Sequence, residues 1–128
     1  MKPLTREWIE KAEGDLATVR REVQARKAPN YDAACFHAQQ CIEKYLKARL
    51  QEAEIHFGRT HDLVALLHLL LPVEPSWEPF CLHLRTLTTF AVGVRYPGES
   101  ADKAMAREAL ALCSDVRRHI RLSLGLEP

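Results

Sequence analysis

Arg95-Tyr96-Pro97-Gly98 is the segment whose residue types point most directly to chemistry. Pro97 disfavours helical backbone at Tyr96, and Pro-Gly suits the central positions of a type II turn. Arg95 therefore ends one helix, and Tyr96 is held extended shortly before the next begins. An arginine and an aromatic ring near a helix N-terminus could hold a phosphate and a base. A purely structural reading stands beside this one. In it Arg95 caps the carbonyl end of its own helix and Tyr96 plugs the end of a bundle.

His61-Asp62 opens another helical pattern. A histidine there could do acid–base work, although Thr60-His61-Asp62 also reads as plain capping with a partly exposed ring. His61 and His68 lie two turns apart on one face, and two histidines without a third ligand make a poor metal site. Lys44 and Lys47 share a polar helix side with His37 and Gln40, and Glu43 can pair with Lys47 at the i, i+4 spacing. Lys103, Arg107, Arg117, Arg118 and Arg121 form a second basic stripe, which could track phosphates or be ordinary surface. Gly-rich phosphate loops, HExxH, GxSxG and paired carboxylates are missing. No motif assigns a catalytic residue, a metal or a cofactor.

The elements that must position these residues are helical. Tyr31 to about Ala53 reads as one helix with two sides. With residues about 100° apart around the axis, Ala34, Ala38, Cys41, Tyr45 and Ala48 fall on one line. Cys35, Ile42, Leu46 and Leu50 widen that surface to roughly half the circumference. An arc so wide needs more than one neighbouring helix to cover it. The opposite side carries His37, Gln40, Glu43, Lys44 and Lys47, and is either solvated surface or the floor of a groove.

A recurring local signal marks the helix starts. A capping residue is followed two positions later by an acid: Thr5/Glu7, Asn30/Asp32, Thr60/Asp62, Ser76/Glu78 and Ser100/Asp102. The cap oxygen accepts an unpaired first-turn N–H, and the acid meets the positive end of the helix dipole. The first helix buries Trp8, Ala12, Leu16, Val19 and Val23 and ends near Lys27. The third is short, carries Leu63, Leu66, Leu67, Leu70 and Leu71, and stops at Pro72. The fourth starts around Trp77, with Pro79 tolerated in its first turn, and buries Phe80, Leu84, Leu87, Phe90 and Ala91. The fifth runs from Ala101 to about Leu124 over Met105, Ala109, Leu112, Cys113, Val116 and Ile120. Short loops between long helices favour antiparallel neighbours. The expected fold is all-α: an up-and-down four-helix bundle with an additional short helix, in one domain over residues 1–128.

Bulk properties agree. The chain has 128 residues, 47% hydrophobic and 27% charged, with a net charge of +1. That length buries a real core, and that charge makes no global case for nucleic acid or membrane. Cys35, Cys41, Cys81 and Cys113 sit in helical patterns without a CxxC pair, so buried thiols of a reducing cytosol are expected rather than zinc. With no apolar span and no leader-like N-terminal run, a cytoplasmic protein without membrane contact is expected.

Four blocks in order carry a family resemblance: Glu13-Gly14-Asp15-Leu16, Tyr31 through Leu50, Thr60-His61-Asp62-Leu63, and Arg95-Tyr96-Pro97. Together they resemble the HEPN domains, small helical bundles of higher eukaryotes and prokaryotes. The resemblance implies a five-helix fold and a homodimer, which suits the wide apolar arc of the second helix. It also implies pairing with a minimal nucleotidyltransferase, often in a toxin–antitoxin-like module, and a nucleotide or RNA ligand. Carried over by position, Lys44, Lys47, His61, Arg95 and Tyr96 would form the nucleotide-binding site. The ribonuclease branch of the family uses an arginine followed four to six residues later by a histidine. Here Arg95 is followed by Tyr-Pro-Gly-Glu-Ser-Ala-Asp, and the only spacing match, Arg49 to His56, lies at the tail of the second helix.

Three functions follow as expectations. The first is a dimeric protein that binds a nucleotide or nucleic acid or partners a nucleotidyltransferase. The second is a metal-independent ribonuclease using Arg95 with His61 or His37. The third is a structural adaptor without ligand.

Overall fold

The computed structural model describes all 128 residues and contains five α-helices and no strand. They are α1 (Pro3–Gln24), α2 (Tyr31–Glu52), α3 (Leu63–Leu70), α4 (Phe80–Gly93) and α5 (Lys103–Ser123). A single 3₁₀ turn, Pro75–Trp77, sits between α3 and α4. The fold class is the one expected from the helical periodicity.

The helix starts differ in detail from the repeated cap-and-acid signal. Asn30 caps α2 as expected, its side chain accepting the Ala33 N–H at 2.9 Å. At α3 and α5 the acid itself is the cap. Asp62 accepts from Val64 and Ala65, and Asp102 accepts from Met105. Thr60 instead accepts the Asp62 N–H, tightening the turn before the helix. Thr5 is no cap: α1 begins at Pro3, and Thr5 is buried inside its first turns. There Glu52, from the far end of α2, accepts from both the Lys2 N–H and the Thr5 hydroxyl at 3.0 Å. Nor does Ser76 cap α4, which follows Pro79 directly. On α1, Ile9 is buried in place of Trp8 and Val23, which are only partly covered. The helix also stops at Gln24, earlier than expected, because Ala25 has already turned extended.

Two helices end alike. At α5, Gly125 takes φ 75°, the Gly125 N–H donates to Leu122 O and the Leu126 N–H to Arg121 O. At α2, Glu54 takes φ 57°, donates to Gln51 O, and Ile55 donates to Leu50 O. Both satisfy otherwise orphaned carbonyls through a left-handed residue, a position that favours glycine.

Helix α2 is the axis of the bundle and packs against each of the other four. Its apolar arc supplies much of a single cluster of 25 buried side chains, with Leu16, Leu66, Leu84 and Ile120 from the surrounding helices. Ala34, Cys35, Ala38, Cys41, Ile42, Tyr45, Ala48 and Leu50 are fully covered within one chain. The arc therefore leaves no surface for a second copy, contrary to the expectation that it would also serve a dimer.

Candidate functional site

The polar side of α2 is neither open surface nor groove floor along its whole length. Glu43 and Lys47 are buried, with side-chain exposures of 4% and 7%, and their ion pair spans 3.1 Å. What covers them comes from elsewhere in the chain. The Lys47 ammonium lies 5.5 Å from the Trp8 ring centroid of α1 and 6.0 Å from that of Phe57 in the α2–α3 loop. A cation against two aromatic faces keeps favourable electrostatics while shedding water. Lys44 is drawn off in another direction, to Asp15 of α1, which also meets His37 Nδ1 at 2.7 Å.

His61 completes the Glu43 cluster. Both carboxylate oxygens of Glu43 lie 3.1 Å from its Nδ1, while 77% of the ring side chain is exposed. An ionised carboxylate only accepts, so this contact places the proton on Nδ1 and leaves Nε2 facing outward. Gln39 adds a second hold by donating to the His61 carbonyl at 3.4 Å, and Gln40 donates to Gln39 Oε1 at 2.8 Å.

His61 lines a groove of about 580 Å³ between α2 and α4, together with Phe36, Gln39, Gln40, Thr88, Ala91, Val92 and Arg95. Arg95 is exposed. Arg49, Arg117 and Arg121 are held in ion pairs, whereas the Arg95 guanidinium has no partner in the chain. It does not cap the end of α4, so the structural reading of this residue fails. Tyr96 fails as a plug too: it is 66% exposed and does not line the groove of His61 and Arg95. The turn after it is as expected, with Gly98 at φ 89° and the Glu99 N–H donating to Tyr96 O.

Of the five residues singled out, His61 and Arg95 thus share one groove. Lys47 stands behind His61 through Glu43, Lys44 is tied to α1, and Tyr96 lies outside. Phe36, Gln39 and Thr88 escaped the sequence reading, although a signal existed. Phe36, Gln40, Glu43 and Lys47 recur at helical spacing on α2, as do Thr88, Ala91 and Val92 on α4, with Arg95 in the turn just past its end.

Two arginines of α5 are tied into an inward-facing cluster. Arg117 makes a two-pronged contact to Glu13 at 2.9 and 2.7 Å, Tyr45 donates to Glu13 at 2.8 Å, and Arg121 donates to the Tyr45 oxygen at 3.0 Å. Hydrogen bonds from Arg117 hold the Glu13 carboxyl below the ordinary 4.5, and burial pushes the Tyr45 phenol up to about 12. The expected stripe on α5 is therefore broken: two of its arginines face inward. Arg49 pairs with Glu74 at 3.0 Å, so the Arg49–His56 spacing forms no site. No group of three or more His, Cys, Asp or Glu side chains converges as a metal site. No helix is long and apolar enough to cross a membrane.

The bundle of five helices and no strand defines the fold class of the protein. The chain belongs to the HEPN domain family, whose model matches residues 5–122. It is similar to the crystal structure of an archaeal HEPN homologue, with a TM-score of 0.68 and 26% identity over 97% of this chain and 99% of that one. No match was found among curated proteins.

Proposed function

We propose that this protein binds a nucleotide or a nucleic acid strand in the groove between α2 and α4, with Arg95 as the phosphate contact. The observation that carries this reading is the exposed, unpartnered Arg95 guanidinium on the same groove as His61, Gln39 and Gln40. A guanidinium can meet a phosphate through two parallel N–H bonds, and the two glutamines supply donors and acceptors for a base or sugar. Lys47 contributes indirectly by holding Glu43, which orients His61. Tyr96, next in the chain after Arg95, is free to stack on a base from outside the groove. Fluorescence anisotropy with labelled RNA tests the proposal: Arg95→Ala should weaken binding at least tenfold, and equal binding by the variant would refute it.

A second reading is metal-independent RNA cleavage, favoured by the Glu43–His61 contact. A carboxylate on Nδ1 prepares Nε2 to accept the proton of an attacking 2′-hydroxyl while Arg95 stabilises charge on the phosphate. Cleavage that persists in both His61→Ala and Arg95→Ala would eliminate it. At the level of assembly, family membership supports a homodimer and a minimal nucleotidyltransferase partner in a toxin–antitoxin-like pair. With the α2 arc covered, the apolar side chains left for such contacts include Leu82 and Val92 of α4. Sedimentation, and co-purification with an adjacently encoded nucleotidyltransferase, test these two assemblies.

A further inference from the structure

A second groove of about 310 Å³ adjoins the first and shares Phe36, Ala91 and Arg95 with it. Its own lining is Asn30, Asp32, Ala33, His37 and Val94. Arg95 and the 37%-exposed ring of Phe36 therefore stand on the ridge between two concavities. Each concavity has an imidazole anchored through Nδ1 to a buried carboxylate: His61 on Glu43 in the first, His37 on Asp15 in the second. The His37 ring packs edge-on to Phe36, with centroids 5.2 Å apart at 85°.

The two grooves differ in charge. The first has no acid in its lining, whereas the second contains Asp32, one oxygen of which accepts the Ala101 N–H at 2.7 Å. A carboxylate repels a phosphate but accepts from the amino groups of a base.

We infer that the ligand is a strand rather than a free nucleotide, its linking phosphate on Arg95 and the next base in the groove of His37 and Asp32. This rests on the proposed phosphate contact at Arg95. Phe36 and His37 supply the ring surfaces on which that base would sit, and stacking of this kind is tolerant of base identity.

Two probes with the same single-charged phosphodiester separate the cases. One is the deoxyadenosine dinucleotide, and the other is the methyl ester of deoxyadenosine 3′-phosphate, which lacks the second nucleoside. Neither carries a 2′-hydroxyl, so cleavage cannot intervene. By calorimetry the dinucleotide should bind about tenfold tighter, the scale of one stacked base. His37→Asn keeps a polar atom for Asp15 and removes the ring, while Ala33→Leu fills the second groove from the surface of α2. Each should abolish the dinucleotide's advantage and leave the methyl ester's affinity unchanged. Equal binding of the two probes by the wild type, or an advantage that survives both substitutions, would overturn the strand inference and leave the Arg95 site standing. Binding of neither probe would overturn both.

Discussion

Both carboxylate oxygens of buried Glu43 lie 3.1 Å from Nδ1 of His61, a ring otherwise open to solvent. The contact joins the interior of the bundle to its candidate groove. Glu43 is held from behind by Lys47, and Lys47 by the rings of Trp8 and Phe57. The orientation of an exposed imidazole thus depends on a buried ion pair.

That dependence predicts an asymmetry in stability. Removing one partner of a buried pair strands the other charge, so Lys47→Ala should cost about 3–5 kcal/mol. Replacing both partners by apolar residues of similar volume, as in Glu43→Leu with Lys47→Met, should cost far less. Urea unfolding of the two variants measures this, and equal losses in both would contradict the burial of the pair.

The Glu13–Arg117 contact predicts a pH dependence of definite sign. The folded carboxyl titrates below its ordinary value of 4.5. Its contribution is therefore complete above about that pH and is lost as pH falls through the folded value. Because Glu13 is partly exposed, solvent screens the pair and the contribution is of order 1 kcal/mol. Relative to Glu13→Gln, the wild type should be more stable at pH 6, with the gap closing on acidification. A gap that stays constant down to pH 3 would show that the contact does not lower this carboxyl.

The paired helix ends predict a stabilising substitution. Glu54 holds at the end of α2 the left-handed position that Gly125 holds at the end of α5, with the same carbonyls satisfied. Glu54→Gly should raise stability by about 1 kcal/mol by relieving the Cβ penalty. The exposed Lys2–Glu54 pair lost with it contributes little. A lower melting temperature for the variant would contradict the assignment.

These relationships also mark where sequence reasoning reached and where it stopped. The apolar line of α2 from Ala34 to Ala48 was legible because period and residue type are local properties. The burial of Lys47 was not, because Trp8 and Phe57 come from other segments and no spacing on α2 announces them. For the same reason, the failure of Arg117 and Arg121 to form a surface stripe depends on Glu13 and Tyr45 across two helix interfaces. Arg95 and His61 were each visible as candidates. Their common groove is a product of how α4 and the start of α3 pack on α2. The wide arc of α2 suits a core and a second copy equally well, since periodicity cannot say how many neighbours the same chain provides.

The central claim is that Arg95 contacts a phosphate, and the salt dependence of binding tests it most directly. Each phosphate contact to a single strand adds about 0.7 to the slope of log K against log salt. Binding of a short single-stranded RNA should weaken as salt rises, and Arg95→Ala should lower both the affinity and the magnitude of that slope, by about 0.7. Its stability should stay within about 0.5 kcal/mol of the wild type, because the side chain has no partner to lose. An Arg95→Ala protein that is folded and binds with unchanged affinity and slope would contradict the account.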